Sequence, residues 1–338
     1  MTKLDIVYCQ ICALIKSWFI QGIKTMEKQV DVLIIGAGIS GIGLAVHLSK
    51  NCPQRNFEIL ERRESFGGTW DLFRYPGIRS DSDMSTFGFN FKPWAKKNVL
   101  ANGSEIKEYL GEVLDENKLK EKIHFGHRVL SANYDSAKKK WFVDVEDSNK
   151  KKQTWSANFV MGCTGYYNYD QGYAPKFPKQ EDFKGQYIHP QHWPENLDYK
   201  GKKVVIIGSG ATAITLVPSM VKGGAGHVTM LQRSPTYIAT IPSIDFIYEK
   251  TRKFMTEEMA YKFTRARMVG TQRGIYFLAQ KYPNIVRRLL LKGIELQLKG
   301  KVDMKHFTPS YNPWDQRLCV VPDGDLFKAL REGQASVE

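Results

Sequence analysis

The sequence predicts an α/β fold of two Rossmann-like dinucleotide-binding domains, the second interrupted by a helical insertion. Three observations lead there. Two glycine-rich loops, Gly36-Ala37-Gly38-Ile39-Ser40-Gly41 and Gly208-Ser209-Gly210-Ala211-Thr212-Ala213, each follow a short apolar run and open a helical pattern. Each loop is answered 25 positions after its first glycine by a charged residue, Glu61 in the first copy and Arg233 in the second. From about residue 243 to 302 the pattern is helical, with clustered Arg, Lys and large apolar side chains. A length of 338 residues suits about two domains. The composition, 42% hydrophobic and 25% charged, excludes disordered, collagenous and small disulfide-stapled chains.

In the first copy, Val30 to Ile35 reads as a buried parallel strand. Gly36 then allows the tight turn, Gly38 lets the backbone approach a pyrophosphate, and Gly41 permits close packing of helix on strand. The helix pattern through Leu44, Ala45, His47 and Leu48 offers its N-terminal N–H groups to the phosphates. Phe57 to Leu60 forms the next strand and delivers Glu61, a carboxylate suited to a ribose with a free 2′-hydroxyl.

The second copy repeats the order. Lys203 to Ile207 is a strand, a helix runs to about Val221, and a strand runs from His227 to Gln232. Ala213 stands in for the third glycine, which this fingerprint tolerates. A carboxylate repels a 2′-phosphate and a guanidinium binds it. The pair therefore asks for FAD (or NAD) at the first loop and NADP at the second. The plainer reading of Arg233 is a surface charge after a strand.

From about Ile123 to Val160, alternating residues such as Trp141, Val143 and Val145 predict a small meander that closes the first domain. The expected organisation is an extension over 1–25, a first nucleotide domain over 26–168, and a second over 169–338 with the insertion at about 243–302. The insertion helices are expected to pack by amphipathic faces.

Leu4 to Ile23 is apolar but broken by Asp5, Gln10, Lys16, Ser17 and Gln21, a poor membrane span. Two readings stand for it: a dispensable leader ahead of Met26, or an amphipathic helix lying on a membrane surface. Cys9 and Cys12 form a C-x-x-C with no second ligand pair and no adjacent βαβ unit, so no metal site is expected. Five cysteines favour a reducing, cytoplasmic setting. The net charge of +14 attracts polyanions in general. The Lys138 to Lys140 and Lys150 to Lys152 runs read as solvated loop charge, and nucleic acid is not an expected partner.

Gly67-Gly68-Thr69-Trp70 follows the first unit, and no cysteine occurs between Cys52 and Cys163. Dithiol chemistry beside a flavin therefore lacks its sulfurs. Phe183, Gly185, His189, Trp193 and Pro194 form an F-x-G-x-x-x-H-x-x-x-W-P between the two nucleotide units. Arg74-Tyr75-Pro76-Gly77-Ile78-Arg79-Ser80-Asp81 and Tyr311-Asn312-Pro313-Trp314-Asp315-Gln316-Arg317-Leu318 complete the set of motifs.

From about Met26 onward the sequence resembles the type I Baeyer–Villiger monooxygenases, most of all the branch containing the mycobacterial ethionamide-activating enzyme. The related flavin-containing monooxygenases carry a similar linker motif, usually without the tryptophan. The resemblance implies that the F-x-G…H…W-P motif serves domain movement and cofactor handling. It implies that Gly68, Thr69, Trp70 and Arg74 help hold FAD. It also implies that Asp81 orients a catalytic Arg317, whose permanent charge suits an anionic oxygenating species. Where the family often has Lys before that arginine, this chain has Gln316, so NADP preference rests more heavily on Arg233.

The implied activity consumes NADPH and O2 and inserts one oxygen atom into a ketone through a C4a-peroxyflavin, giving an ester or lactone. N- or S-oxygenation of an amine or thioether is the alternative within the class. The family's chains continue past the point where this one stops, with a returning portion that completes the flavin domain. A truncated, inactive nucleotide-binding fragment is therefore a third reading, and an incomplete sheet is expected to expose edge strand and apolar surface.

Overall fold

A computed structural model describes residues 28–338. The expected N-terminal extension and the Cys9/Cys12 pair lie outside the described residues. The chain divides into two compact units, one of residues up to 69 with 110–166, the other of 70–109 with 167–338. The segment 70–109, grouped by sequence with the first nucleotide domain, makes its contacts within the second unit.

The first unit is built on β1 (Lys28–Ile35), α1 (Ile39–Asn51) and β2 (Phe57–Leu60), followed by β3 (Ile123–His124), β4 (Arg128–Asp135), β5 (Lys140–Glu146) and β6 (Lys152–Gly162). The sheet order is β3-β2-β1-β6-β5-β4. Strands β1, β2, β3 and β6 run parallel, in the register Val32↔Phe57, Val30↔Ala157 and Ile59↔Ile123. Strands β4, β5 and β6 form the antiparallel meander. Ile123–His124 thus leaves the expected meander and extends the parallel edge beside β2.

β1 is apolar at successive positions because it is covered on both faces; Leu33 and Ile34 are wholly buried. Ile42, Ala45 and Val46 pack α1 onto the sheet. Leu33 and Leu60 join Val143, Val145, Trp155 and Ala157 of the meander in one apolar cluster.

The second unit begins with two one-turn helices, α2 (Thr69–Leu72, opening at the boundary) and α3 (Met84–Phe87). Helix α4 (Gly103–Glu116) starts in this unit and continues into the first. After the linker come β7 (Lys203–Ile207), α5 (Ala211–Lys222), β8 (His227–Leu231) and β9 (Tyr237–Ile241). The insertion is α6 (Phe246–Thr251), α7 (Glu257–Lys281) and α8 (Pro283–Leu298), and β10 (Leu318–Pro322), α9 (Asp325–Arg331) and β11 (Ala335–Val337) follow. Strands β11, β8 and β7 make one parallel sheet, and β9 and β10 pair in parallel as a second. Ile214, Val217, Val228, Phe307, Val321 and Phe327 lie in the shared core.

Apolar side chains remain exposed where no further layer covers them. Val205 and Ile207 on edge strand β7 are 60% and 54% exposed, and Phe159 within β6 is 64% exposed. The insertion buries Ala260, Tyr261, Ala279, Ile294 and Leu298 but leaves Phe254, Leu289 and Leu296 in solvent, so its apolar content is only partly used for packing. Among the described residues no helix is long and apolar enough to cross a membrane.

Candidate nucleotide sites and their connecting segment

The first glycine loop is shaped by contacts that exclude side chains. A Cβ on Gly41 would lie 1.9 Å from the Gly36 carbonyl oxygen, and one on Gly36 would lie 2.4 Å from the Cys163 carbonyl oxygen. Gly36 also has a φ of +109°. The loop is therefore pressed against the ends of β1 and β6, and only glycine fits. Gly38 caps α1 with no side-chain hydrogen bond and with no acid in the first turn. The leading N–H groups of α1 are left to meet an anion. Gly38 faces Gly68, whose Cα would be 3.6 Å from a Cβ at position 38, so two glycines line the approach. Ala37 O accepts from Gly67 N at 3.0 Å, which fixes the second glycine pair beside the first.

Glu61 is buried at the end of β2, 3% exposed. Its Oε2 accepts from Ala37 N at 2.8 Å and its Oε1 from Arg63 N at 2.9 Å. The carboxylate is thereby aimed along the glycine loop, and each oxygen keeps a free acceptor direction. This is the arrangement a ribose diol beside a pyrophosphate requires, and the residues present fit an adenine dinucleotide with an unmodified ribose.

The second loop has the same backbone plan. Gly208 has φ +133°, and Gly210 caps α5 with no side-chain hydrogen bond and no acid in the first turn. Ala213 is buried among core residues, as the third-glycine position requires. Ser209 Oγ donates to Ser234 O at 2.8 Å, and Gly208 N donates to Leu231 O at 2.8 Å. These bonds hold the loop against the turn that carries Arg233. Arg233 is exposed, and among the described residues no carboxylate pairs with it. A solvent-facing guanidinium beside an uncapped helix start fits a dinucleotide with a 2′-phosphate.

Arg317 belongs to the same corner. A Cβ on Gly210 would sit 2.8 Å from its Nη1, so the guanidinium lies over the glycine loop. Asp81 and Arg317 are both exposed, and no ion pair joins them among the described residues. Both act on Cys319 of β10, where burial pushes the thiol up to about 11, with Arg317 lowering it and Asp81 raising it. The expected orienting ion pair is thus not formed among the described residues. Gln316 is exposed beside Arg317.

The segment Arg74 to Asp81 packs on the second nucleotide fold. Tyr75 is buried, hydrogen-bonded to Thr212 in the glycine loop, and burial raises its pKa. A Cβ on Gly77 would strike Ser219 Oγ of α5, and Gly77 has φ +78°. Trp70 stacks edge-on against Phe87 at 5.7 Å. Arg74 reaches the linker, its Nη1 lying 3.2 Å from Glu195, the residue after Pro194. Within the linker, a Cβ on Gly185 would overlap the Phe183 ring, and His189 Nδ1 accepts from Gln191 N at 3.2 Å. Trp193 packs against the core of the second unit. These contacts explain the motif's residue types as local packing.

Sequence reasoning gave Tyr75 no role of its own and missed the Ser209–Ser234 tie, because a single hydroxyl carries no periodic signal. Among the described residues no group of His, Cys, Asp or Glu is placed to hold a metal, and Cys52, Cys163 and Cys319 are free thiols.

A family model described as flavin-binding monooxygenase-like matches residues 27–257. The chain belongs to this family. It is 91% identical over 313 residues to a probable FAD-binding monooxygenase, AlmA, of Acinetobacter sp, covering 93% of this chain and 63% of that protein. It is 53% identical to the FAD-containing monooxygenase EthA of Mycolicibacterium smegmatis, covering 92% and 63% of the two chains. The chain thus spans a little under two thirds of the length of these relatives. Two solved structures share its fold. OTEMO in complex with FAD and NADP matches with a TM-score of 0.72 at 20% identity, covering 91% of this chain and 65% of that one. An open cyclohexanone monooxygenase matches with 0.73 at 20% identity, covering 92% and 67%.

Proposed function

We propose that this member of the flavin-binding monooxygenase-like family is part of an FAD-dependent, NADPH-consuming monooxygenase. The observation that carries the reading is the opposed charge at matched positions of two uncapped glycine loops: buried Glu61 beside one, unpaired Arg233 beside the other. The names of the relatives and the cofactors in the OTEMO structure point the same way. In this reading Gly36, Gly38, Gly41, Glu61, Gly68 and Thr69 hold FAD. Gly208, Gly210 and Ala213 receive the NADPH pyrophosphate, and Arg233 its 2′-phosphate. Bound flavin supplies the chemistry, accepting hydride from NADPH and activating O2. The protein's part is to bind and orient, and Arg317 provides a cation.

The substrate we propose is a small ketone, oxidised to an ester or lactone, in a cytoplasmic setting. The test is a spectrum and a product analysis on the purified 338-residue protein. A yellow protein that NADPH bleaches under nitrogen, and that in air turns a cyclic ketone into a lactone, supports the reading. Conversion of a thioether to its sulfoxide with the ketone untouched moves it to S-oxygenation, and a colourless protein that oxidises no NADPH contradicts it.

A further inference from the structure

Helix α7 of the insertion holds both ends of the one-turn helix α3, which begins three residues after Asp81. At the C-terminal end, Arg265 Nη1 donates to Ser85 O at 2.6 Å and reaches Gly88 O at 3.2 Å and Thr86 O at 3.4 Å. Tyr261 Oη lies 3.3 Å from the same nitrogen. Carbonyls at a helix end lack intrahelical partners and carry partial negative charge, so a guanidinium is well matched to them. At the N-terminal end, Asp83 is 5% exposed. Its Oδ1 accepts from Thr86 N at 3.0 Å, and its Oδ2 accepts from Thr86 Oγ1 at 2.5 Å and from Gln272 Nε2 at 2.6 Å.

The other side of the segment is held as firmly. Arg79 makes a two-pronged contact with Asp325 of α9, at 2.8 and 3.5 Å. Ser80 N donates to Ala101 O at 2.8 Å, and Met84 N to Val99 O at 2.8 Å. Asp81 itself is exposed and makes no ion pair among the described residues, so its position is set by its neighbours. The chain from Arg79 to Gly88 is thus strung between α9 and α7.

We propose that Arg265 and Gln272 are positioning residues: the insertion helix fixes the segment that carries Asp81. This deepens the proposed function and rests on it, since the orienting role that the family resemblance implies for Asp81 has meaning only in an oxygenating enzyme. A misplacement of about 1 Å caused far from the chemistry can cost on the order of a hundredfold in rate. A guanidinium binding three carbonyls of one turn prevents that displacement, and Gln272 holds the cap from the opposite end.

The experiment compares the full 338-residue protein with R265A, R265K and Q272A, reading amide hydrogen exchange in residues 79–88 and the NADPH consumed per oxygenated product. In R265A, exchange over 79–88 is expected to rise about tenfold, the equivalent of one lost hydrogen bond to a charged group, while β8 stays protected. NADPH consumed per product should rise severalfold with KM for NADPH unchanged. R265K retains a cationic donor and should restore most of both. Q272A should loosen the same segment from its other end, which keeps the test decisive if R265A folds poorly. Unchanged exchange over 79–88 in the variants overturns the proposal. So does raised exchange with an unaltered NADPH-to-product ratio, or failure of R265K to restore either readout. If the parent protein reduces no flavin, the functional reading falls, and the exchange data alone then decide whether α7 holds the segment.

Discussion

Ser209 Oγ donates a 2.8 Å hydrogen bond to the carbonyl of Ser234. This joins a glycine loop to the residue immediately after Arg233, so the loop and the cation are fixed as one piece. In the first unit the equivalent tie is made by the charged residue itself: Glu61 accepts from Ala37 N inside the loop. The charged residue that answers the first loop is therefore buried, and the one that answers the second stands in solvent.

The two loops should respond differently to an added methyl. A Cβ at Gly41 meets the Gly36 backbone at 1.9 Å, whereas a Cβ at Gly210 meets the free end of Arg317 at 2.8 Å. Gly41→Ala should cost about 1–3 kcal/mol, the usual range for overpacking, and abolish flavin uptake. Gly210→Ala should leave the melting temperature near the parent's and weaken NADP binding by displacing Arg317. Thermal unfolding and coenzyme titration on both variants check this.

Glu61 carries structural as well as binding weight. Glu61→Ala strands the Ala37 N–H at a buried loop, an expected loss of about 1–3 kcal/mol. Glu61→Gln keeps one acceptor oxygen and should lie between the two. Urea unfolding of the apo proteins measures this independently of any cofactor.

Acid should weaken the first unit through Glu58. Burial raises its pKa, but hydrogen bonds and charge from His124 and Lys122 outweigh burial and hold it below its ordinary 4.5. The sign follows directly: a carboxylate with a lowered folded pKa contributes stability above its unfolded value and loses it as pH falls through the folded one. The parent's stability advantage over Glu58→Gln should therefore shrink steadily as the solution is made more acidic than about pH 5. Denaturant midpoints across that range check it.

The nucleotide folds were legible because glycine loops, apolar strands and a charged terminus are short-range patterns fixed by backbone sterics. Phe57 to Leu60 and Lys203 to Ile207 are strands at the bounds read from sequence. Residues 70–109 were less legible, because Tyr75 and Gly77 find their partners, Thr212 and Ser219, more than a hundred positions away. The place of the strand at Ile123 on the parallel edge, outside the meander, was hidden for the same reason, since its pairing with Ile59 is long-range and parallel. Arg265 looks like any solvated charge on a long helix until the carbonyls of Ser85 and Gly88 are beside it. Resemblance supplied Asp81 and Arg317 as a pair, whereas the structure shows no direct bond between them among the described residues.

The most direct measurement is coenzyme preference in Arg233→Glu, read as the ratio of affinities for NADP and NAD by titration of the purified protein. The ratio should fall by roughly tenfold to a hundredfold, as loss of a charge-assisted hydrogen bond to phosphate requires, with NAD binding little changed. An unaltered ratio would contradict the assignment of a phosphorylated ribose to the second loop.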